Sequence, residues 1–307
     1  MTRSVTEYLV IGEALIDIVA RHAETPVEHV GGSPANVAVG LARLDNKVTF
    51  ATCLGEDARG ERIRRHLTRH SIQVVDDEGE DPTSTAVANI DQSGAATYEF
   101  DIRWAPGPVK IGPEVGHLHT GSIAAVLDPG AADVATALEA GREQATTSYD
   151  PNFRPSIMGN TAAAIARIES IIPLADVVKA SSDDLATMYP DDSVEDVLAR
   201  WCDLGPALVV ITKAEHGVSF RVRSTGEVRE LPAPATTVVD TVGAGDSFMA
   251  GLISGLASAG LLGGPEARMQ LQQANADAIT PAIERGGRCG AMTVARAGAY
   301  APSLDEL

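Results

Sequence analysis

A segment late in the chain combines glycines with an aspartate in a pattern that suits phosphoryl transfer. Asp240 to Gly251 reads Asp-Thr-Val-Gly-Ala-Gly-Asp-Ser-Phe-Met-Ala-Gly and joins a strand-like run to an apolar helical one. Gly243 and Gly245 allow backbone N–H groups to form one concavity at the helix start, where the helix dipole also favours an anion. Asp246 falls in the first helical turn, so its carboxylate could take the proton of a hydroxyl that attacks phosphorus. On its own, the pattern is equally typical of a glycine-rich helix start with an aspartate that pairs with the dipole.

A second segment, near the N-terminus, is suited to holding hydroxyl groups. Gly31-Gly32-Ser33-Pro34 precedes a helical pattern, and paired glycines let a ligand approach the backbone closely. Asn36 can both donate and accept hydrogen bonds, and Asp17 could accept bonds from two neighbouring hydroxyls. On its own, this segment predicts a turn and a helix start in which Ser33 is the N-cap and proline follows it.

Other phosphate-binding and hydrolytic patterns do not occur in the sequence. The chain has no Gly-Lys pair and therefore no Walker A loop. The Gly243-x-Gly245-x-x-Phe248 spacing lacks the third glycine of a dinucleotide fingerprint and lies far from the first strand. No Gly-x-Ser-x-Gly elbow supplies a nucleophile for acyl hydrolysis.

The elements around both segments alternate between strands and helices. Apolar runs at Tyr8–Ile11, 47–52, 117–120, 147–150, 177–179 and 208–212 predict buried strands, and helical patterns lie between them. This order predicts an α/β fold, a mostly parallel sheet with helices on both faces, whose ligands bind at the carboxyl ends of the strands. Residues 85–91 and 96–102 alternate between the two faces of a strand on either side of Gln92-Ser93-Gly94. They predict a β-hairpin that interrupts the alternation of strands and helices. We predict one domain over residues 1–307, with a small β-lid formed by about 15–30 and 83–107.

The bulk composition restricts the class of ligand. The 307 residues carry 24 Lys and Arg against 42 Asp and Glu, a net charge of −18, which argues against nucleic acid or anionic lipid as a partner. An anionic nucleotide would have to be bound by local features such as helix N-termini. The three cysteines are far apart, which argues against a disulfide framework. With no apolar run of 18 residues and no charged leader, we expect a cytoplasmic protein.

Taken together, the Gly-Gly…Asn36 segment and Gly-Ala-Gly-Asp246 resemble the two signatures of the ribokinase-like sugar kinase family. The resemblance covers essentially the whole chain and implies a three-layer sandwich with a small β-sheet lid. It implies transfer of the γ-phosphoryl group of ATP to a sugar hydroxyl, with Mg²⁺ as cofactor and K⁺ as a possible activator. It assigns Asp246 as the general base and the N–H groups of Gly243, Ala244 and Gly245 as the anion hole.

The resemblance also implies roles for residues elsewhere in the chain. The sugar hydroxyls would be held by Asp17, Gly31, Gly32 and Asn36. Contacts with the nucleotide would come from Lys179, Ser181, Asp184, Thr212, Gly217 and Asn275. A monovalent cation would be bound by Asp240 and the carbonyl of Val242, beside the turn at Ala297-Gly298-Ala299.

Two stretches depart from the family pattern. The family's Asn-x-x-Glu is replaced by Ser181-Ser182-Asp183-Asp184, whose shorter Asp184 carboxylate predicts that Mg²⁺ is held through water. Lys179 could compensate in part by binding phosphate. The nucleotide loop reads Thr212-Lys213-Ala214, where the family has glycine at the third position.

The acceptor is predicted to be fructose. Asp150-Pro151-Asn152-Phe153-Arg154 resembles the fructokinase and 2-keto-3-deoxygluconate kinase branch, although a strand with a proline-restricted turn gives the same pattern. Two lid carboxylates, Glu99 and Asp101, disfavour an anionic sugar. Arg103 and Arg154 could bind a carboxylate, so a sugar acid stays an alternative acceptor. A nucleoside kinase would need aromatic stacking that Trp104 alone hardly supplies. A sugar-binding module without catalysis is the alternative from another class.

The remaining features have simpler explanations. His66 and His70 share a helix face crowded by arginines, which predicts a solvated basic face, and His117 and His119 are expected in the core or lid. The acidic stretch at 76–81 predicts a solvated loop. Exposed lid edges favour a homodimer formed through the lid.

Overall fold

The computed structural model describes residues 6–21, 24–79, 81–91 and 96–307, and most of its strands form one large sheet. The order of the nine strands is β13-β12-β11-β10-β9-β8-β1-β4-β5. Pairing is parallel except at β11–β12 and β12–β13, which form an antiparallel hairpin at one edge. The strands are β1 (Glu7–Ile11), β2 (Leu15–Arg21), β3 (Val27–Gly31), β4 (Lys47–Gly55), β5 (Gln73–Gly79), β6 (Thr85–Ile90), β7 (Ala96–Asp101), β8 (Val115–Gly121), β9 (Thr146–Asp150), β10 (Val177–Ser181), β11 (Leu208–Thr212), β12 (Val218–Val222) and β13 (Val228–Leu231).

Helices cover both faces of this sheet, as the alternating order predicted. Successive residues of a strand point to opposite faces, so Val10 of β1 joins one hydrophobic core while Leu9 and Ile11 join the other. The helices are α1 (Ser33–Arg43), α2 (Ala58–Thr68), α3 (Gly130–Gly141), α4 (Pro155–Met158), α5 (Thr161–Ile171), α6 (Ser182–Met188), α7 (Val194–Leu204), α8 (Ala244–Ser258), α9 (Pro265–Gln273) and α10 (Ala276–Val294). The first core packs α1, α8 and α10, and the second packs α3, α5 and α7. The predicted α/β architecture is confirmed. No helix in the described ranges is long and apolar enough to cross a membrane.

A second, four-stranded sheet has the order β3-β2-β6-β7. The predicted hairpin is confirmed, because β6 and β7 pair antiparallel from Thr85–Asp101 to Ile90–Ala96, while its turn at Gln92-Ser93-Gly94 lies outside the described residues. β2 pairs antiparallel with β3 and parallel with β6. Strand β3 itself is absent from the predicted strands. Its alternation is short, since only Val27, His29 and Gly31 lie on one face.

Two local predictions are corrected by the structure. Gly32, with φ 106°, is the N-cap of α1, and Ser33 is the first helical residue with its side chain free for a distant partner. The start of the acidic stretch belongs to β5, which pairs with β4, and Asp76 forms an ion pair with Arg64. Trp104, from which little stacking was expected, is buried and donates to the carbonyl of Ala124, so it does not stack on a ligand. In the two corrected cases a long-range neighbour, Asp246 for Ser33 and Arg64 for Asp76, determines the environment of the side chain.

The histidines at the centre of the sheet belong to the core, as predicted. His117 and His119 are buried and contact the hydroxyl of Ser148, and His117 also contacts Thr146. Burial lowers the pKa of each histidine to about 3, so both rings are uncharged near neutrality.

Candidate active site

A cleft of about 2360 Å³ lies at the carboxyl ends of the parallel strands, beside the inner face of the four-stranded sheet. Its floor is formed by residues that follow consecutive strands of the large sheet, as expected for a parallel sheet. These residues are Glu13 after β1, Ser122 after β8, Asn152 after β9, Ser181 at the end of β10 and Thr212 at the end of β11.

Asp246 lies at the N-terminus of α8 and faces this cleft. The helix begins after Gly243, whose φ of 75° is in the left-handed region that glycine tolerates. The hydroxyl of Ser33 donates to Asp246 Oδ1 at 2.7 Å, and Asn36 Nδ2 donates to Asp246 Oδ2 at 2.8 Å. The two sequence segments, more than 200 residues apart, are therefore joined at one carboxylate.

The environment tunes the basicity of this carboxylate. Burial raises the pKa of Asp246 above its ordinary value, whereas the hydrogen bonds from Ser33 and Asn36 and the charge of Lys179 lower it. The balance leaves a carboxylate more basic than a free aspartate, which is the direction that a proton acceptor requires.

The glycines before Asp246 lie close to their neighbours. A Cβ on Gly243 would lie 2.7 Å from the Cβ of Ala299, and one on Gly245 would lie 3.0 Å from Lys179 Nζ. The ammonium group of Lys179 therefore lies beside the backbone of residues 243–245, which is called the cradle below. The N–H groups at the start of α8 and this ammonium together provide a site for an anion.

Lys179 is held by a buried ion pair. Its Nζ lies 2.9 Å from Asp150 Oδ2, and both side chains are almost fully buried. Burial alone would lower the pKa of Lys179, but the carboxylates of Asp150, Asp184 and Asp246 raise it above its ordinary value. The ammonium group therefore stays charged.

One side of the cleft, called the acceptor side below, brings together Asp17, Gly31, Gly32 and Asn36, the residues predicted to bind hydroxyl groups. The carboxylate of Asp17 lies over Gly31, since a Cβ there would be 2.0 Å from Asp17 Oδ2. Burial raises the pKa of Asp17, and nearby His29 lowers it. Gly32 and Asn36 also line the cleft.

The lid strand β7 adds two aromatic residues that the sequence reasoning missed. Tyr98 and Phe100 line the cleft, and their rings stack with centroids 6.2 Å apart and planes 4° apart. Tyr98 is 62% exposed. Their i, i+2 spacing on a predicted strand was the available signal, because it places both rings on one face.

The Ser181–Asp184 stretch forms an N-terminal capping box on α6. Asp184 Oδ2 accepts from the backbone and hydroxyl of Ser181, and Oδ1 accepts from the backbone N–H of Phe153 at 2.8 Å. Asp184 is thus buried with both oxygens hydrogen-bonded, while Arg154 Nη1 lies 4.0 Å away and is half exposed at the cleft. In the described part of the chain, no group of three or more His, Cys, Asp or Glu side chains converges as a metal site would require.

The proposed cation loop comes together around Asp240. Asp240 accepts hydrogen bonds from the backbone N–H of Val242 at 3.0 Å and of Gly298 at 2.8 Å, which lower its pKa. The segment at 240–242 and the turn at 297–299 are therefore tied to each other beside the start of α8. An aspartate and backbone carbonyls are the hard oxygen donors that a monovalent cation uses.

Two predicted residues do not lie at the cleft. Arg103 is exposed, pairs with Asp101 at 2.8 Å and is not among the residues that line the cleft. Asn275 is the N-cap of α10, and the part of this helix that lines the cleft begins about three turns later, at Gly287. Thr212 and Gly217 do line the cleft. The glycines of α10 are the signal that sequence reasoning overlooked, because small residues leave room for a flat ligand.

Comparison with known proteins agrees with this geometry. Residues 5–306 match the model of the pfkB family carbohydrate kinases. A fructokinase from Klebsiella pneumoniae is 31% identical over 310 residues, which cover 97% of each chain.

Two solved structures share the fold over nearly the whole chain. A fructokinase double mutant from Vibrio cholerae O395, in its fructose-, ADP- and potassium-bound form, has a TM-score of 0.80 at 25% identity and covers 97% of this chain and 95% of its own. The aminoimidazole riboside kinase of Salmonella enterica, complexed with aminoimidazole riboside and an ATP analogue, has a TM-score of 0.79 at 26% identity and covers 98% of both chains.

Proposed function

Since the chain belongs to the pfkB family of carbohydrate kinases, we propose that it transfers the γ-phosphoryl group of ATP to a hydroxyl of fructose. The assignment of fructose follows the full-length similarity to fructokinases, including the one with bound fructose. Phosphoryl transfer is supported above all by the position of Asp246. It lies between the backbone cradle of α8 and the acceptor-side residues Ser33 and Asn36.

The proposed mechanism assigns a role to each side of the cleft. Asp17, Gly31, Gly32 and Asn36 hold the hydroxyls of the sugar, so that one hydroxyl lies against Asp246. Asp246 accepts its proton as the oxygen attacks the γ-phosphorus and the bond to ADP breaks. The N–H groups of residues 243–245 and the ammonium of Lys179 stabilise the negative charge of the transferred phosphoryl group.

The cofactors belong to the same proposal. Mg²⁺ would be held mainly by the phosphates of ATP, with Asp184 acting through water, because both oxygens of Asp184 already accept protein hydrogen bonds. K⁺ would be bound between Asp240, the Val242 carbonyl and the 297–299 turn, where it would favour the anion-binding geometry of the adjacent cradle. Ser181, Thr212 and Gly217 would contact the nucleotide, and the base would lie against α10 near Gly287.

A second candidate acceptor is an aromatic riboside. Tyr98 and Phe100 present stacked rings to the cleft, and such rings favour a flat heterocycle over a bare sugar. The similarity to aminoimidazole riboside kinase agrees with this alternative. A sugar acid, in contrast, would need a cation for its carboxylate, and the half-exposed Arg154 at the cleft is the residue that could supply it.

The four-stranded sheet is proposed to act as the lid of a single kinase domain. Glu28 of β3 ties it to α2 by accepting hydrogen bonds from Arg59 Nη2 at 2.7 Å and Arg62 Nη1 at 3.3 Å. Glu28→Gln should change KM for the acceptor several-fold with little loss of stability. Glu61→Gln, which breaks a surface pair within α2, is the matched control. Equal effects of the two variants would argue against the lid role.

We also propose that two chains pair through this sheet, which sedimentation would test.

The direct test is ADP production with Mg·ATP and K⁺. The acceptor panel is fructose, 2-keto-3-deoxygluconate, ribose, glucose, adenosine and aminoimidazole riboside. Turnover with fructose far above the others supports the proposal, and a preference for the riboside supports the second candidate. Sugar binding without ADP release would indicate a binding module and refute the kinase assignment.

A further inference from the structure

Glu13 carries a buried carboxyl group that the proposed mechanism does not use. It follows β1 and Gly12 and is only 5% exposed, although it borders the cleft. Its Oε2 atom is buried and has no hydrogen-bond partner among the described residues. An unpaired buried carboxyl oxygen is costly, so its presence beside the site requires an explanation.

The contacts of Glu13 lead directly to the proposed base. The backbone N–H of Glu13 itself, the hydroxyl of Ser122 and the backbone N–H of Ser33 face this carboxyl group, and each lowers its pKa. Its backbone packs on the glycine loop, since a Cβ on Gly32 would lie 2.5 Å from the Glu13 carbonyl oxygen. Ser33 in turn donates its hydroxyl to Asp246. Only one residue therefore separates Glu13 from the Asp246 carboxylate.

The backbone on the other side of Glu13 is strained. Ser122 has φ 54° and Asn152 has φ 39°, which are unusual for residues other than glycine. Ser122 follows β8, the neighbour of β1, and Asn152 follows β9, the next strand of the sheet; Asn152 Nδ2 lies 3.4 Å from Ser122 Oγ. Strain of this kind persists where the surroundings over-determine it, and it concentrates at functional sites.

We propose that Glu13 is a positioning residue for Asp246, an uncharged carboxyl that bridges Ser33 and Ser122 without adding a second negative charge beside the base. The inference rests on the proposed kinase function. The neutral acid satisfies both donors, and a proton on Oε2 removes the cost of a buried charge on that atom.

The electrostatics of the pocket agree with an uncharged group. Burial, and to a smaller extent the charge of Asp246 on α8, raise the pKa of Glu13 to about 8, although the backbone N–H of Glu13 and the donors of Ser122 and Ser33 act to lower it. The positive charges of Lys179 on β10 and of Arg154 lower the pKa of Asp246. Below about pH 8 Glu13 is therefore protonated, and above it two adjacent carboxylates repel each other. We expect kcat/KM to fall above about pH 8.

The kinetic test compares Glu13→Gln with Glu7→Gln. A glutamine stays neutral at every pH and keeps an acceptor oxygen, so Glu13→Gln should hold activity within about threefold at pH 7 and remove the alkaline fall. Glu7 is the matched control, since it is equally buried but lies at the first residue of β1, at the opposite end of the strand from Glu13, and pairs with Lys47. Its variant should keep the wild-type pH profile. Glu13→Ala, which leaves both donors unpaired, should lower kcat at least tenfold.

Two outcomes would overturn the inference. An unchanged alkaline fall in Glu13→Gln would show that Glu13 is not the titrating group. A loss above 100-fold at pH 7 in a folded Glu13→Gln would show that the charge is required.

A stability measurement separates this inference from the kinase assignment. A raised folded pKa means that wild type loses stability relative to Glu13→Gln as pH rises from about 4.5 to about 8. The difference between their urea midpoints should therefore grow across this range, whatever the substrate is. A constant difference would refute an uncharged Glu13, and an inactive wild type with a growing difference would refute only the proposed function.

Discussion

Replacing Asp246 by asparagine isolates the proton-accepting role from the structural one. In the wild type the carboxylate accepts from Ser33 at 2.7 Å and from Asn36 at 2.8 Å. An asparagine can accept from Asn36 through its carbonyl and donate to Ser33, because the Ser33 hydroxyl can rotate to become an acceptor. The hydrogen-bonded shape of the site is therefore preserved.

The expected changes in activity and stability differ in size. Loss of a positioned base lowers turnover by roughly 10²–10⁴-fold, which corresponds to about 3–5 kcal/mol of the activation barrier. Burial raises the pKa of Asp246, so its charged form opposes folding near neutral pH, and the uncharged asparagine removes that cost. We expect the free energy of unfolding to stay within about 1 kcal/mol of wild type or to rise.

The assay measures ADP release at saturating fructose and ATP, together with urea unfolding. Ser247→Ala is the control, because this neighbouring hydroxyl is buried without a partner among the described residues and should be lost without effect on turnover. Near-normal turnover of Asp246→Asn would remove the proposed base. A parallel collapse of stability would show that Asp246 acts through the fold instead.

Three further predictions concern the cradle and the core. Lys179→Met should leave the buried Asp150 carboxylate unpaired and lower the free energy of unfolding by about 3–5 kcal/mol, a loss that adding Asp150→Asn should largely reverse in urea titrations. Gly243→Ala should reduce kcat/KM for ATP by at least tenfold, whereas Gly260→Ala, at the same φ of 75° but with open space around it, should cost only about 1–2 kcal/mol of stability. Because the pKa of His117 is lowered to about 3, the unfolded state binds more protons below about pH 6.5. The urea midpoint should therefore fall from pH 7 to pH 5, and less so in His117→Gln; a flat profile would contradict the buried neutral ring.

The parts of the site that follow from local sequence were predictable. The glycines before Asp246 and the turn before Asn36 require unusual backbone angles or close approach, and those requirements restrict the residue type at each position. Apolar runs such as β1 and β11 are buried on both faces, so their composition alone identifies them as central strands.

The residues that lie away from their predicted place, and the one that was not predicted, depend on where a side chain points after the chain has folded. Asn275 begins a helix, and sequence alone does not give the length of helix between that start and the cleft. Arg103 follows β7, and its direction depends on the register in which β7 pairs with β6. Glu13 is prominent only in space, because its partners Ser33 and Ser122 come from two other segments.

The acidity of the chain and the binding of ATP are compatible because they act over different distances. The net charge of −18 is spread over the surface, and salt screens it within about 8 Å at physiological ionic strength. The cradle instead acts at contact distance through backbone N–H groups and the buried ammonium of Lys179, which water does not screen. Asp150 fixes that ammonium before ATP arrives, so little reorganisation is needed when the phosphoryl group is transferred. Surface charge therefore affects how fast ATP reaches the cleft, while the interior ion pair determines how the transferred group is held.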